Sequence, residues 1–161
     1  MDLEELLARE SIRQTIANYT MAGDRLRTDD FIAVFTEDGI FESEGVSEDK
    51  TFRYAGREKI RAFIATWGRG AHDAEPVHQA KFIRHHLSTC QIELTGQDTA
   101  KARTYWVAYT NIGPDHCGYY VDAFRKVSDR WLIAHRKVRE DWMAHDSLYG
   151  SAIVNLRGRG Q

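Results

Sequence analysis

From Leu3 to about Asp24, apolar residues return every three or four positions (Leu3, Leu6, Leu7, Ile12, Ile16, Tyr19, Ala22), the period of a helix with one face turned inward. Asp2 stands where a capping side chain belongs, and Gly23 where the helix would end. Thr28-Asp29-Asp30 followed by Phe31, Ile32, Val34 and Phe35 predicts a second, short helix stopped by Gly39. Two β-like runs, Gly39 to Ser43 and Thr51 to Tyr54, flank a polar turn at Glu44 to Asp49 and predict a hairpin. Ile60, Phe63, Ile64 and Trp67, spaced i, i+3, i+4 and i+7, predict a third helix over 57–67, closed by Gly68 and Gly70.

Beyond Gln79 the period changes. Four long segments, Lys81 to Leu94, Ala100 to Ile112, Cys117 to Val127 and Trp131 to Met143, predict an antiparallel meander. Gly96-Gln97-Asp98, Gly113-Pro114-Asp115 and Ser128-Asp129 supply its turns. Three helices ahead of and interleaved with such a sheet give an α+β fold whose sheet curves around the helices, burying one face. The other face carries tyrosine and arginine and predicts a homo-oligomer, dimer or trimer. Residues 1–145 read as one domain, and the glycine-bearing stretch 146–161 as a loosely ordered C-terminal tail.

Composition narrows the function. The 161 residues suit one domain, and 42% hydrophobic with 29% charged residues is an ordinary globular balance. A net charge of −2 without any block of like charges argues against nucleic acid or an anionic membrane as partner. No apolar run approaches the roughly 18 residues of a membrane span, and Met1-Asp2-Leu3-Glu4-Glu5 is acidic where a signal peptide is basic, so a cytoplasmic location is expected. Cys90 and Cys117 are too few for a disulfide scaffold. The histidines show no metal-binding spacing and the glycines no phosphate-cradling loop, so no metal and no cofactor are expected.

Chemistry-bearing candidates concentrate at few positions. Asp24 follows Gly23 at the negative end of a helix dipole, either as a turn residue or as a carboxylate facing a pocket. His85 and His86 are adjacent on a strand and must face opposite ways. Parity with Ser88, Cys90, Ile92 and Leu94 turns His86 inward, unless a bulge between His85 and Cys90 shifts the phase. A carboxylate beside an inward imidazole makes a general base poised near neutral pH. Asp122 shares a face with Tyr120 and Phe124, as an ion-pair partner for Arg103 or Arg136 or as a second polar group in the pocket. Tyr19, Tyr54, Tyr105, Tyr109 and Tyr120 are phenol donors or core rings.

Four fragments, in this order, resemble one family: Tyr19-Thr20-Met21-Ala22-Gly23-Asp24, Arg84-His85-His86-Leu87-Ser88-Thr89, Gly118-x-Tyr120-x-Asp122-x-Phe124, and Trp131-Leu132-Ile133-Ala134-His135-Arg136-Lys137-Val138. They are similar to the SnoaL-like family of the nuclear transport factor 2-like superfamily, over about residues 3–143. The pattern is nearest the branch that holds scytalone dehydratase, hexachlorocyclohexane dehydrochlorinase and bile-acid 7α-dehydratase. The resemblance implies a cystatin-like cone, a curved mixed sheet around three helices with one apolar pocket. It implies a proton-removing dyad at Asp24 and His85, choosing His85 where parity points to His86, which stays as a residue of the pocket. Tyr19 stands where the dehydrochlorinase has a lysine, which suits water elimination or enolisation better than halide loss.

The expected function is a cofactor-independent lyase of the dehydratase type, acting on a small apolar cyclic molecule. His85 would take the proton, Asp24 would orient it, and Tyr19 with Tyr54 or Tyr120 would polarise an oxygen. Trp67 and Trp106 would join Tyr54, Tyr120 and His86 in binding the substrate. The same cone also serves ketosteroid isomerase and the structural small subunits of aromatic-ring dioxygenases, so an isomerase or a non-catalytic module is the alternative. The non-catalytic reading predicts Asp24 and His85 out of hydrogen-bond reach, and a pocket filled by Phe31, Trp67 and Trp106.

Overall fold

The computed structural model of the chain describes residues 2–45, 48–67 and 80–149. Helix α1 spans Leu3–Gly23, and the Asp2 side chain caps it by accepting from the Glu5 N–H at 2.8 Å. Its inward face is Ile12, Thr15, Ile16, Tyr19, Thr20 and Ala22, whereas Leu3, Leu6 and Leu7 are exposed. The apolar stripe of the sequence therefore runs on past the part of the helix that the fold covers.

Helix α2 spans Thr28–Ala33 and strand β1 spans Phe35–Glu44, so Phe35 belongs to the strand and Gly39 lies inside it. Between Phe35 and Ile40 the register of β1 shifts, and a Cβ at Gly39 would sit 3.0 Å from the Thr36 carbonyl. The glycine serves that irregularity rather than ending a helix. A short 3₁₀ turn, Glu48–Lys50, precedes β2, Phe52–Ala55, which pairs antiparallel with β1 as the expected hairpin. Helix α3 spans Arg57–Ile64 and loosens into turns through Trp67, shorter than expected; Gly68 and Gly70 lie outside the described residues.

The meander is present as β3, Arg84–Leu94, β4, Thr99–Thr110, β5, Gly113–Val127, and β6, Arg130–Met143. In the sheet order β2-β1-β6-β5-β4-β3, β1 and β6 run parallel and every other pair antiparallel. This is the α+β, curved mixed sheet wrapped around three helices. Its concave face buries Ala100, Ala102, Trp106, Ala108, Tyr120 and Phe124 against Ile12, Ile16 and Tyr19 of α1 and the rings of Phe31, Phe35 and Phe41. Among the described residues no helix is long and apolar enough to cross a membrane.

Two departures matter for the site. Gly113-Pro114-Asp115, expected as a turn, is the start of β5. Residues 146–149, expected in the loose tail, are tied down: Leu148 is buried, and its N–H reaches the Asp115 carboxylate at 2.8 Å.

At Gly118, where β5 shifts register against β6, an added Cβ would lie 1.9 Å from the Arg139 carbonyl oxygen. Backbone cannot yield as a side chain does, so Gly118→Ala is expected to lower stability by about 3 kcal/mol. Urea denaturation checks this; an unchanged midpoint would show that the strands do not approach so closely.

Candidate functional site

The concave sheet, the C-terminal end of α1 and the helix pair α2–α3 border a partly open cavity of about 490 Å³, lined mostly by aromatic rings. Tyr19, Tyr54, Trp67, Trp106 and Tyr120 line it, and so do Asp24 and His85. His86 does not: it is exposed on the outer face, its ring 5.0 Å from that of Tyr109. The cause is the bulge, because the pairing runs Leu87 to Trp106 but Cys90 to Thr104, one residue more on β3 than on β4. Counting by twos back from Ile92 gives the wrong face once Ser88 and Thr89 are crossed. His85 pairs with Ala108, whose side is the core side.

Asp24 is 5% exposed and touches His85 twice: Oδ1 is 2.6 Å from the ring Nδ1, and Oδ2 accepts the His85 backbone N–H at 2.9 Å. A carboxylate at a helix C-terminus faces the negative end of the dipole, so these two donors, from a strand distant in sequence, offset a cost that α1 alone imposes. An ionised Asp24 makes Nδ1 the protonated nitrogen, which leaves Nε2 as the basic one. The His85 side chain is 23% exposed, enough to meet a ligand.

Behind the rings lies an ion pair. Arg136, fully buried, donates from Nε and Nη2 to the two oxygens of Asp122 at 2.8 and 2.6 Å, which settles the partner of Asp122 as Arg136 rather than Arg103. Arg103 lies instead over the Tyr119 ring on the outer face, where Tyr105 and Tyr109 are also exposed. The Arg136 guanidinium stacks against the rings of Tyr19 and Tyr120 at 4.0 and 4.1 Å. Burial pushes both phenols well above the ordinary tyrosine range, outweighing the pull of Arg136, so both remain protonated donors.

A second Asp–His pair, whose His116 lines the same cavity while Asp115 lies fully buried behind it, was missed by sequence reasoning. Residue 115 is the extra one where β5 pairs Pro114 with Tyr109 and His116 with Ala108, so the adjacent Asp115 and His116 both turn inward. His116 Nδ1 lies 2.7 Å from Asp115 Oδ1. Thr110 Oγ1, Ser147 Oγ and the Leu148 N–H also donate to that carboxylate, at 3.0, 2.6 and 2.8 Å. Burial pushes Asp115 up, but these bonds outweigh it and hold it below the ordinary carboxylate range. Burial holds His116 below the ordinary histidine range despite its carboxylate partner. The only trace in the sequence was an Asp-His dipeptide behind Gly-Pro, which alternation would split between two faces.

These directions fix a pH dependence. His116 is neutral when folded and titrates near 6.5 when unfolded, so its contribution is complete above that pH and is lost as pH falls toward its lower folded value. Asp115 contributes above about 3.8 and loses that contribution only as pH falls through its depressed folded value. The melting temperature is therefore expected to decline from pH 7 to pH 5, and less steeply in His116→Gln. Parallel curves for the two proteins would remove His116 as the cause.

The fold and an aromatic cavity with carboxylate-held imidazoles place the protein among small α+β cone proteins. A family model described as a SnoaL-like domain matches residues 4–137, and the chain belongs to that family. No curated protein matches the sequence. Among solved structures, a protein of unknown function from Mycobacterium tuberculosis is 25% identical, with a TM-score of 0.69 over 89% of this chain and 77% of that one. A candidate scytalone dehydratase from Novosphingobium aromaticivorans is 21% identical, with a TM-score of 0.71 over 100% of both chains. A hexachlorocyclohexane dehydrochlorinase from Novosphingobium barchaimii is 13% identical, with a TM-score of 0.68 over 89% of this chain and 93% of that one. The last two likenesses concern the fold. It is the cystatin-like fold named for a further neighbour, from Nostoc punctiforme.

Proposed function

We propose that the protein is a cofactor-independent lyase of the dehydratase type, acting on a small, largely apolar cyclic molecule through Asp24 and His85. The observation that carries this reading is the double contact of Asp24 with His85, 2.6 Å to the ring and 2.9 Å to the backbone, beside an open apolar cavity. The non-catalytic alternative expects the pair apart and the cavity filled.

In this mechanism His85 Nε2 takes a proton from a carbon activated by a neighbouring carbonyl. The C–H electron pair becomes the new C=C bond, and the C–O bond of the hydroxyl on the adjacent carbon breaks with its pair on oxygen. That oxygen takes the proton from the His85 imidazolium and leaves as water, restoring the neutral ring. Asp24 stabilises the imidazolium between the two transfers, and the Tyr19 phenol, kept protonated by burial, donates to the carbonyl oxygen as negative charge develops there. Return of the proton to a different carbon would make the same site an isomerase. The exposed Tyr105, Val121 and Trp142 on the outer face support self-association of the chain.

The test is proton exchange. The protein in D₂O is incubated with cyclic ketones such as β-tetralone and with cyclic β-hydroxyketones, and deuterium uptake and loss of water are followed by mass spectrometry. Enzyme-dependent exchange next to the carbonyl supports the reading. Binding of these compounds without exchange or elimination sinks it in favour of a binding module.

A further inference from the structure

The mechanism above leaves the second pair, Asp115 with His116, without a task. Four donors hold the Asp115 carboxylate, one of them His116 Nδ1, so that nitrogen carries the ring proton and Nε2 keeps a lone pair. Nε2 has no hydrogen-bond partner among the described residues, and His116 lines the cavity. The Trp106 ring lies 5.5 Å from that of His116 and 5.6 Å from that of His85, and it too lines the cavity. Its indole Nε1–H is buried and has no partner among the described residues. Buried polar atoms are almost always paired, so an unpaired N–H on a ring that lines a cavity marks where a ligand atom belongs.

The two neighbouring groups have opposite sense. His116 Nε2 can only accept, and Trp106 Nε1 can only donate. Neither can turn to reverse its role: the Asp115 carboxylate fixes the imidazole tautomer, and the indole is stacked on Tyr120 at 5.7 Å. A hydroxyl group answers both, giving its proton to one and a lone pair to the other. A ketone or an ether answers only the indole, and a hydrocarbon ring answers neither.

We propose that His116 and Trp106 determine specificity: His116 Nε2 accepts from a hydroxyl on the substrate ring, Trp106 Nε1–H donates to a substrate oxygen, and the cavity thereby selects hydroxylated rings over bare or alkylated ones. Asp115 is the positioning residue that keeps the acceptor nitrogen facing the ligand. This deepens the lyase reading by naming its substrate class and rests on it for the word substrate. Binding is measured without turnover, so the two fail separately.

The test compares β-naphthol with its methyl ether, two probes of one ring system that differ in the O–H, by isothermal titration calorimetry. The wild type is expected to bind β-naphthol about tenfold or more tightly than the ether. In His116→Phe the ratio should fall to near one while the affinity for the ether changes by less than about twofold. Trp106→Phe should weaken both probes and leave their ratio intact, which separates the donor from the acceptor. Equal affinity of the wild type for the two probes, no binding of either, or a ratio that survives His116→Phe overturns the proposal. The wild-type comparison decides this even where a variant fails to fold.

Discussion

Replacing His85 with glutamine is expected to cut the enzyme-dependent exchange rate by about 10²–10⁴, the usual contribution of a positioned general base. Glutamine keeps the size and a polar end but has no nitrogen basic enough to take a proton from carbon. Asp24→Asn is expected to cost a comparable factor by a different route. The asparagine amide can donate to Nδ1, which moves the ring proton to Nε2, the nitrogen that has to be empty when substrate arrives. The double variant should be little slower than either single one, because the two residues act as a unit. His85→Gln removes a ring that lies 5.6 Å from Trp106 and 5.9 Å from His116, whereas Asp24→Asn keeps all three rings, so the affinity of the Asp24→Asn variant for β-naphthol separates a lost dyad from a collapsed cavity. Asp24→Asn with undiminished exchange and intact binding would show that the carboxylate does not set the tautomer of His85, and the dyad would have to be abandoned.

How much of this site the sequence discloses depends on whether a phase is interrupted. Uninterrupted periods were legible: α1 from its threes and fours, the meander from its alternation, and the common face of Tyr120, Asp122 and Phe124. Bulges were not. One extra residue at Ser88–Thr89 reverses the facing of His85 and His86, and another at Asp115 brings two adjacent side chains to one face. An extra residue leaves no mark on composition, so only the resemblance to a family chose His85 over His86. The parallel pairing of β1 with β6 is invisible for another reason, since it joins Ile40 to His135 across most of the chain. Helix boundaries erred where local signals compete, with Phe35 read into a helix although its packing partners, Tyr19, Phe31 and Phe41, hold it in a strand. The partner of Asp24 was expected from the resemblance, but the backbone N–H that also holds it could come only from the register of β3.

Removing the Arg136 guanidinium is expected to cost more stability than any other single side-chain truncation considered, about 3–5 kcal/mol for Arg136→Met. Arg136 and Asp122 are the one carboxylate–guanidinium pair among the described ion pairs with both side chains wholly out of solvent. Burial disfavours the cation, but the facing Asp122 outweighs burial and holds Arg136 above the ordinary arginine range. Methionine fills much of the same volume and leaves Asp122 buried with no counter-charge, so Asp122 must either stay ionised at high cost or take up a proton. The loss would be a large fraction of the roughly 5–15 kcal/mol that a domain of this size has in all. The double variant Arg136→Met with Asp122→Leu removes both charges at once and is expected to recover most of the stability, because exchanging a buried pair for apolar groups is often close to neutral. Urea denaturation of the three proteins measures this. A single variant that loses less than about 1 kcal/mol, or a double variant no better than the single, would mean that the pair is not a buried ionised one. The double variant also tests the site, because Tyr19 and Tyr120 lose the cation against their rings while the cavity wall stays apolar. If it folds but exchanges protons slowly, the ion pair serves the cavity by holding the two phenols in place and contributes little to the stability of the fold.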